Sequence, residues 1–146
     1  QWPLENWTGL IHAVLARHPD AKVVLCGAPA EAAMLRAIAA TARSERVRAA
    51  GDALPLRRLL ALCERAAAMI SIDTGPAQAA AALGCPLIVL YGAQPPSLWL
   101  PRSPTGSGVI ALGGLPQHNR VDQIRLDEVI SALETLPFRP TSRAAG

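Results

Sequence analysis

The sequence predicts an α/β fold in three layers, a parallel sheet with helices on both faces. Three observations carry this prediction. Short runs rich in valine, isoleucine and leucine alternate with stretches whose apolar residues recur at helical spacing. The runs are apolar throughout, as strands covered on both faces are. Glycine and proline punctuate nearly every junction. Regular alternation of this kind favours parallel strands joined by helical crossovers. The chain has 146 residues, 51% of them hydrophobic and 17% charged, enough apolar material for a core of its own. One domain is expected over residues 1–139, followed by a frayed tail at 140–146, where little is left to bury.

The elements follow in order. Trp7, Leu10, Ile11, Val14 and Leu15 mark a first helix, ended by His18-Pro19-Asp20. Lys22 to Gly27 is a first strand, and Gly27 to Glu31 turns into a helix faced by Met34, Leu35, Ile38 and Ala39. Val47 to Ala50 is a weaker strand, punctuated by Gly51-Asp52. Leu56, Leu59, Leu60 and Cys63 form the apolar stripe of a third helix, with Pro55 at its first turn. Ala67 to Ile72 is a third strand and Leu87 to Tyr91 a fourth, the clearest in the chain. Residues 93–107 form a loop rich in proline, serine and glycine that holds Trp99 and Pro101. A loop of that length is more often functional than idle. Val109 to Leu112 is a last strand, and Leu126, Val129, Ile130 and Leu133 mark the final helix.

Chemistry concentrates at Met69–Gly84. A strand runs into Asp73-Thr74-Gly75-Pro76, and an alanine-rich helix follows that stops at Gly84. Proline suits the first helical position, which makes Gly75 the expected N-cap. A glycine cap leaves the first N–H groups of the helix unmatched by a side chain and lets another molecule come close. A phosphate-bearing ligand is one reading of this stretch. An ordinary strand-to-helix turn is the other. Three turns end strands, at Gly27–Glu31, Asp73–Pro76 and Gly92–Pro96, and Gly51–Leu54 is a fourth candidate. Ligands of parallel sheets bind at such strand ends. Glu31 and Asp73 supply carboxylates there, suited to sugar hydroxyls.

Several function classes lack their marks. No G-x-G-x-x-G follows a strand, no phosphate-binding P-loop motif is present, and Ser71 is not in a G-x-S-x-G turn. Net charge is +3, Lys22 is the only lysine and the arginines are scattered, so no nucleic-acid partner is expected. A mildly basic face toward an anionic ligand or lipid is compatible with this charge. Cys26, Cys63 and Cys85 are widely spaced in apolar contexts and read as buried thiols of a reducing compartment. No Cys or His pair has ligand spacing, so no metal is expected. The chain has no run long enough to span a bilayer. Its opening, Gln1-Trp2-Pro3, has no signal-peptide character and reads as a cut inside a longer protein.

Asp73-Thr74-Gly75-Pro76-Ala77, then Ala80 to Pro86, then Leu90-Tyr91-Gly92, resemble the signature of the ADP-heptose:lipopolysaccharide heptosyltransferases, glycosyltransferase family 9. Trp2-Pro3 with Trp7 is similar to the W-P-x-x-x-W that opens the family's C-terminal domain. Leu56, Leu59, Leu60 and Arg65-Ala66 resemble its "sLxelaaLixrA" helix, and Trp99 with Pro101 its "rWxP" segment. The segment Ile124 to Val129 also fits, so the likeness runs over nearly the whole chain.

The resemblance implies a GT-B enzyme, in which two Rossmann-like domains face a cleft, with this chain as the C-terminal, sugar-nucleotide-binding half. It implies that Thr74 and Gly75 hold the diphosphate, that Glu31 accepts hydrogen bonds from the ribose, and that Leu54 packs on the adenine. Asp73 would lie near the sugar or shape the loop. The family's catalytic base is an aspartate of the N-terminal domain, so no catalytic residue is expected here. The implied partners are that missing domain, an ADP-sugar donor and a lipopolysaccharide-core acceptor. The implied place is the cytoplasm, peripheral to the inner membrane of a Gram-negative bacterium. The ADP-sugar is a substrate, and no cofactor is expected. Gln78 stands where the family usually has histidine; it donates and accepts hydrogen bonds but carries no proton or charge. Ala93-Gln94-Pro95-Pro96 stands where the family commonly has P-T-D-P. The alternatives are a non-catalytic nucleotide- or sugar-binding module derived from the same fold, and a plain structural domain.

Overall fold

The structure is a computed structural model that describes residues 1–50 and 54–140. Helices α1 (Leu4–Arg17), α2 (Ala32–Thr41), α3 (Leu56–Arg65), α4 (Gly75–Ala82), α5 (Pro96–Trp99) and α6 (Leu126–Thr135) alternate with strands β1 (Val23–Leu25), β2 (Val47–Ala49), β3 (Met69–Ile72), β4 (Leu87–Tyr91) and β5 (Val109–Gly113). This is the α/β order expected from the sequence, and every strand pairing is parallel. The strands form two sheets, β1–β2 and β3–β4–β5. The chain divides into two compact units: Pro3–Leu56, and Gln1–Trp2 with Arg57–Gly146.

In the first unit, Ile11 and Leu15 of α1 pack with Ile38 of α2, Ala42 and Val47 of β2, and Trp7, Val23 and Leu25 lie against them. Arg46 closes α1 from below: its guanidinium donates to the carbonyls of Leu15, His18 and Pro19. Leu15 and the C-cap His18 are among the C-terminal acceptors that a helix cannot satisfy within itself, and Pro19 follows them. The expectation that β1 is buried on both faces does not hold. Val24 is 44% exposed, because a strand with one sheet neighbour and one packed face leaves its alternate residues outside.

In the second unit β4 is the central strand, and all five of its residues are buried. Met69 lies opposite Leu87 and Leu87 opposite Val109, which sets the register. Leu87, Val89 and Tyr91 meet Ala77 and Ala81 of α4 on one face. Ile88 and Leu90 alternate to the other face, and α6 touches β4 and β5. Small alanines let α4 approach the sheet closely. Cys63, Ala80 and Cys85 form a second cluster between α3 and α4. Trp2 is buried and its indole N–H donates to the Ile124 carbonyl (2.8 Å), which fastens the start of the chain to the segment before α6.

Four expectations are corrected. The N-cap of α4 is Thr74, not Gly75: Thr74 is extended (φ −149°, ψ 165°) and its carbonyl accepts from the N–H groups of Ala77 (3.0 Å) and Gln78 (3.4 Å). Proline therefore sits at the second helical position, where its missing N–H is still one of the unmatched set. Leu56 begins α3 fully outside the packed stripe, 67% exposed, since a first-turn residue has no preceding turn to hold it down. Cys26 is exposed, because β1 ends one residue before it, while Cys63 and Cys85 are buried as expected. The loop at 93–107 contains the single-turn helix α5. Of the expected turn at Gly51–Leu54 only Leu54 belongs to the described residues, and of the tail at 140–146 only Pro140 does.

Candidate functional site

The carboxyl end of β3 delivers Asp73 and Thr74, and α4 starts immediately after them. No side-chain oxygen caps this helix. The Thr74 hydroxyl is turned back instead, donating to the Ile72 carbonyl (3.3 Å) beside the Ser71 hydroxyl (3.3 Å). The start of α4 thus keeps its positive end open to the outside. Gly75 is exposed, and a Cβ built on it meets nothing within 4 Å. The glycine is not demanded by the protein's own packing; it keeps a space clear.

That space is a cleft of about 660 Å³. Asp73, Thr74, Gly75 and Gln78 line one side of it, and Leu98, Trp99, Leu100 and Arg102 contribute the rest with Ala82. Four residues picked out in the sequence are therefore brought together. Asp73 also lines a smaller neighbouring cleft of about 240 Å³ with Leu90, Gly92 and Gln94. Asp73 thus stands at the border of two depressions.

Gln78 is exposed, and its amide donates to the Trp99 carbonyl (3.1 Å). The Tyr91 hydroxyl donates to the same carbonyl (3.0 Å). Burial above all, and then the negative charge of Asp73, push the Tyr91 phenol up to about 12. At neutral pH it is a protonated donor. Sequence reasoning placed Tyr91 at the end of an apolar strand and in the family-like Leu90-Tyr91-Gly92 segment but gave it no role at the site. It also missed Arg102, although that residue follows Pro101 in the loop already marked as functional.

Glu31 and Leu54 belong to the other unit. One Glu31 carboxylate oxygen accepts the Ala28 N–H (2.8 Å) and lies where a side chain on Gly27 would be. The turn after β1 is therefore held by the same carboxylate that the sequence offers to a sugar. Leu54 is half-buried. Among the described residues no group of three or more His, Cys, Asp or Glu side chains is arranged to hold a metal ion, and no helix is long and apolar enough to cross a membrane.

A sequence profile of glycosyltransferase family 9 (heptosyltransferase) matches residues 1–129. No curated protein sequence matches the chain. Solved structures do. The E. coli heptosyltransferase WaaC with ADP is 24% identical, with a TM-score of 0.76 over 92% of this chain and 39% of its own. The E. coli ADP-heptose lps heptosyltransferase II is 23% identical, with a TM-score of 0.75 over 92% of this chain and 41% of its own. A glycosyl transferase family 9 protein from Veillonella parvula is 22% identical, with a TM-score of 0.73 over 92% of this chain and 41% of its own. The fold is thus the one found in GT-B heptosyltransferases, and the chain spans about two fifths of the length of these structures.

Proposed function

The chain belongs to glycosyltransferase family 9, and from that premise we propose that it is the donor-binding half of an inverting enzyme that transfers a sugar from an ADP-sugar to a lipopolysaccharide core. Heptose is the donor sugar of this proposal. The observation that carries it is the uncapped start of α4, opening beside Gly75 into a cleft shared with Arg102. A diphosphate satisfies both the helix end and the guanidinium. The neighbour solved with ADP supports a nucleotide of that kind.

In the proposed reaction a base outside these residues removes the proton of an acceptor hydroxyl. The oxygen attacks the anomeric carbon on the face opposite the diphosphate. The bond to the diphosphate breaks, and ADP leaves with the electron pair. Thr74, Gly75 and the α4 N–H groups meet the charge that develops on the leaving oxygens. The helix end and Arg102 supply positive charge in this scheme, so no metal is assigned to it. The resemblance assigns Glu31 to the ribose, Leu54 to the adenine, and Asp73 to the sugar or to shaping the loop. The reaction takes place on the cytoplasmic face of the inner membrane. A non-catalytic binding module is the second reading, favoured by Gln78, whose amide is engaged by a backbone carbonyl rather than held ready for substrate.

Calorimetric titration with ADP, UDP, CDP and GDP tests the proposal. ADP is expected to bind best. In this proposal the Thr74 hydroxyl turns from the Ile72 carbonyl to the diphosphate, so Thr74→Val is expected to weaken ADP binding by about 10- to 100-fold, the loss of one hydrogen bond to a charged group. Unchanged ADP affinity in Thr74→Val places the diphosphate elsewhere.

A further inference from the structure

One carbonyl in the cleft wall is held from two sides. Trp99 ends α5, and its carbonyl is one of those that a single-turn helix leaves without an internal partner. Gln78 and Tyr91 both donate to it, at 3.1 and 3.0 Å, which fills both lone pairs. The two donors come from different elements. Tyr91 is fully buried at the end of the central strand β4. Gln78 lies one turn into α4 and is exposed. Three residues beyond the anchored carbonyl, past the buried ring of Pro101, stands Arg102.

Among the described residues Arg102 is the only cation lining the cleft, and Asp73 its only acid. Among the described residues Arg102 makes no ion pair, whereas Arg120 and Arg125 pair with Asp122 and Asp127. Asp73 offsets the formal charge of the cleft, but Arg102 is exposed and makes no pair with it, so its guanidinium and the positive end of α4 stay available to a ligand. Both favour an anion.

We propose that residues 96–102 form an anion-binding strap, in which Arg102 contacts the diphosphate of the donor and Gln78 is the positioning residue that holds the strap through the Trp99 carbonyl. This rests on the donor-binding reading above and adds a second wall to that site. It also gives Gln78 a role that needs no titratable group. Any side chain that presents an N–H at the same reach can do the same work, including a neutral imidazole.

The test is calorimetry of the full chain and its variants with ADP, inorganic pyrophosphate and adenosine, alongside amide hydrogen exchange. Arg102→Ala is expected to weaken ADP and pyrophosphate by about 10- to 100-fold and to leave adenosine unchanged. Arg102→Lys recovers part of the loss. Gln78→Ala is expected to weaken both anions and to speed exchange of the Leu100 amide, which donates to the Pro96 carbonyl at 2.9 Å within the strap. Gln78→His retains most of the affinity, and Gln78→Glu, ionised and unable to donate at pH 7, does not. In the Arg102→Ala background Gln78→Ala adds no further loss. Wild-type ADP affinity in Arg102→Ala overturns the strap and leaves the nucleotide site standing. Loss of pyrophosphate binding in Arg102→Ala, with ADP bound no better than pyrophosphate, supports the strap and overturns the nucleotide reading. Failure of the wild-type chain to bind either anion overturns both. Unchanged affinity and exchange in Gln78→Ala overturn its positioning role.

Discussion

Gly75 and Arg139 show two ways in which single residues matter here. Gly75 keeps a volume empty, as its unobstructed Cβ position shows. Arg139 fills one. Its guanidinium donates to the carbonyls of Cys63 and Glu64 at the end of α3 and to that of Leu83 (2.9 Å) just past α4, while its own N–H donates to the Ala67 carbonyl (2.9 Å). One side chain thus ties the C-terminal ends of two helices, where cations are favoured by the helix dipole. Arg139→Ala is expected to lower stability by about 1–3 kcal/mol, read from urea unfolding, because it leaves several partly buried carbonyls without a donor. A change within error would show that water replaces the guanidinium. Nothing in the sequence marks Arg139, which precedes Pro140 in an apparently featureless end. Its partners lie 56 to 76 positions away, and such contacts have no local signature.

At the scale of elements, α4 shows what was legible and why. Its end was readable because one residue dictates it. Gly84 adopts φ +71°, its N–H donates to the Ala81 carbonyl, and the Cys85 N–H donates to that of Ala80. These two bonds make a Schellman motif, which favours glycine at that position. A Cβ there would also stand 2.5 Å from the Thr105 hydroxyl. Gly84→Ala is therefore expected to destabilise by about 1–3 kcal/mol, more than a helix-propensity change alone. A thermal midpoint equal to wild type would contradict this. The start of α4 was legible only to within one residue, since both threonine and glycine cap helices well. Here backbone dihedrals, not residue type, decide for Thr74. The single turn of α5 was not legible at all. A four-residue helix has no periodicity to read, and it is held by the distant Tyr91 and Gln78.

For the molecule as a whole, buried neutral acids link stability to pH. Burial pushes the Cys85 thiol up from 9.0 to about 11, against the opposing charge of Arg139, and the Tyr91 phenol from 10.0 to about 12. Both folded values exceed the unfolded ones, so the folded state holds these protons more tightly. Their contribution is complete below about pH 9 and is lost as pH rises toward 11 and 12. The urea midpoint is expected to hold level from pH 7 to 8.5 and to fall above pH 9. A midpoint that rises there would contradict the burial of both groups. The α/β order, the parallel pairing and the grouping of Asp73, Thr74, Gly75 and Gln78 in one cleft follow from a chain whose local signals agree with its fold. The central claim is that the clear space at Gly75 belongs to a nucleotide diphosphate, and one measurement tests it most directly: ADP titration of wild type and Gly75→Ala, with the thermal midpoint of each. A donor-binding cleft predicts that Gly75→Ala keeps or raises the midpoint, by up to about 1 kcal/mol of stability from helix propensity, while ADP affinity falls at least about tenfold through the lost close approach. ADP binding by Gly75→Ala as tight as by wild type would contradict it.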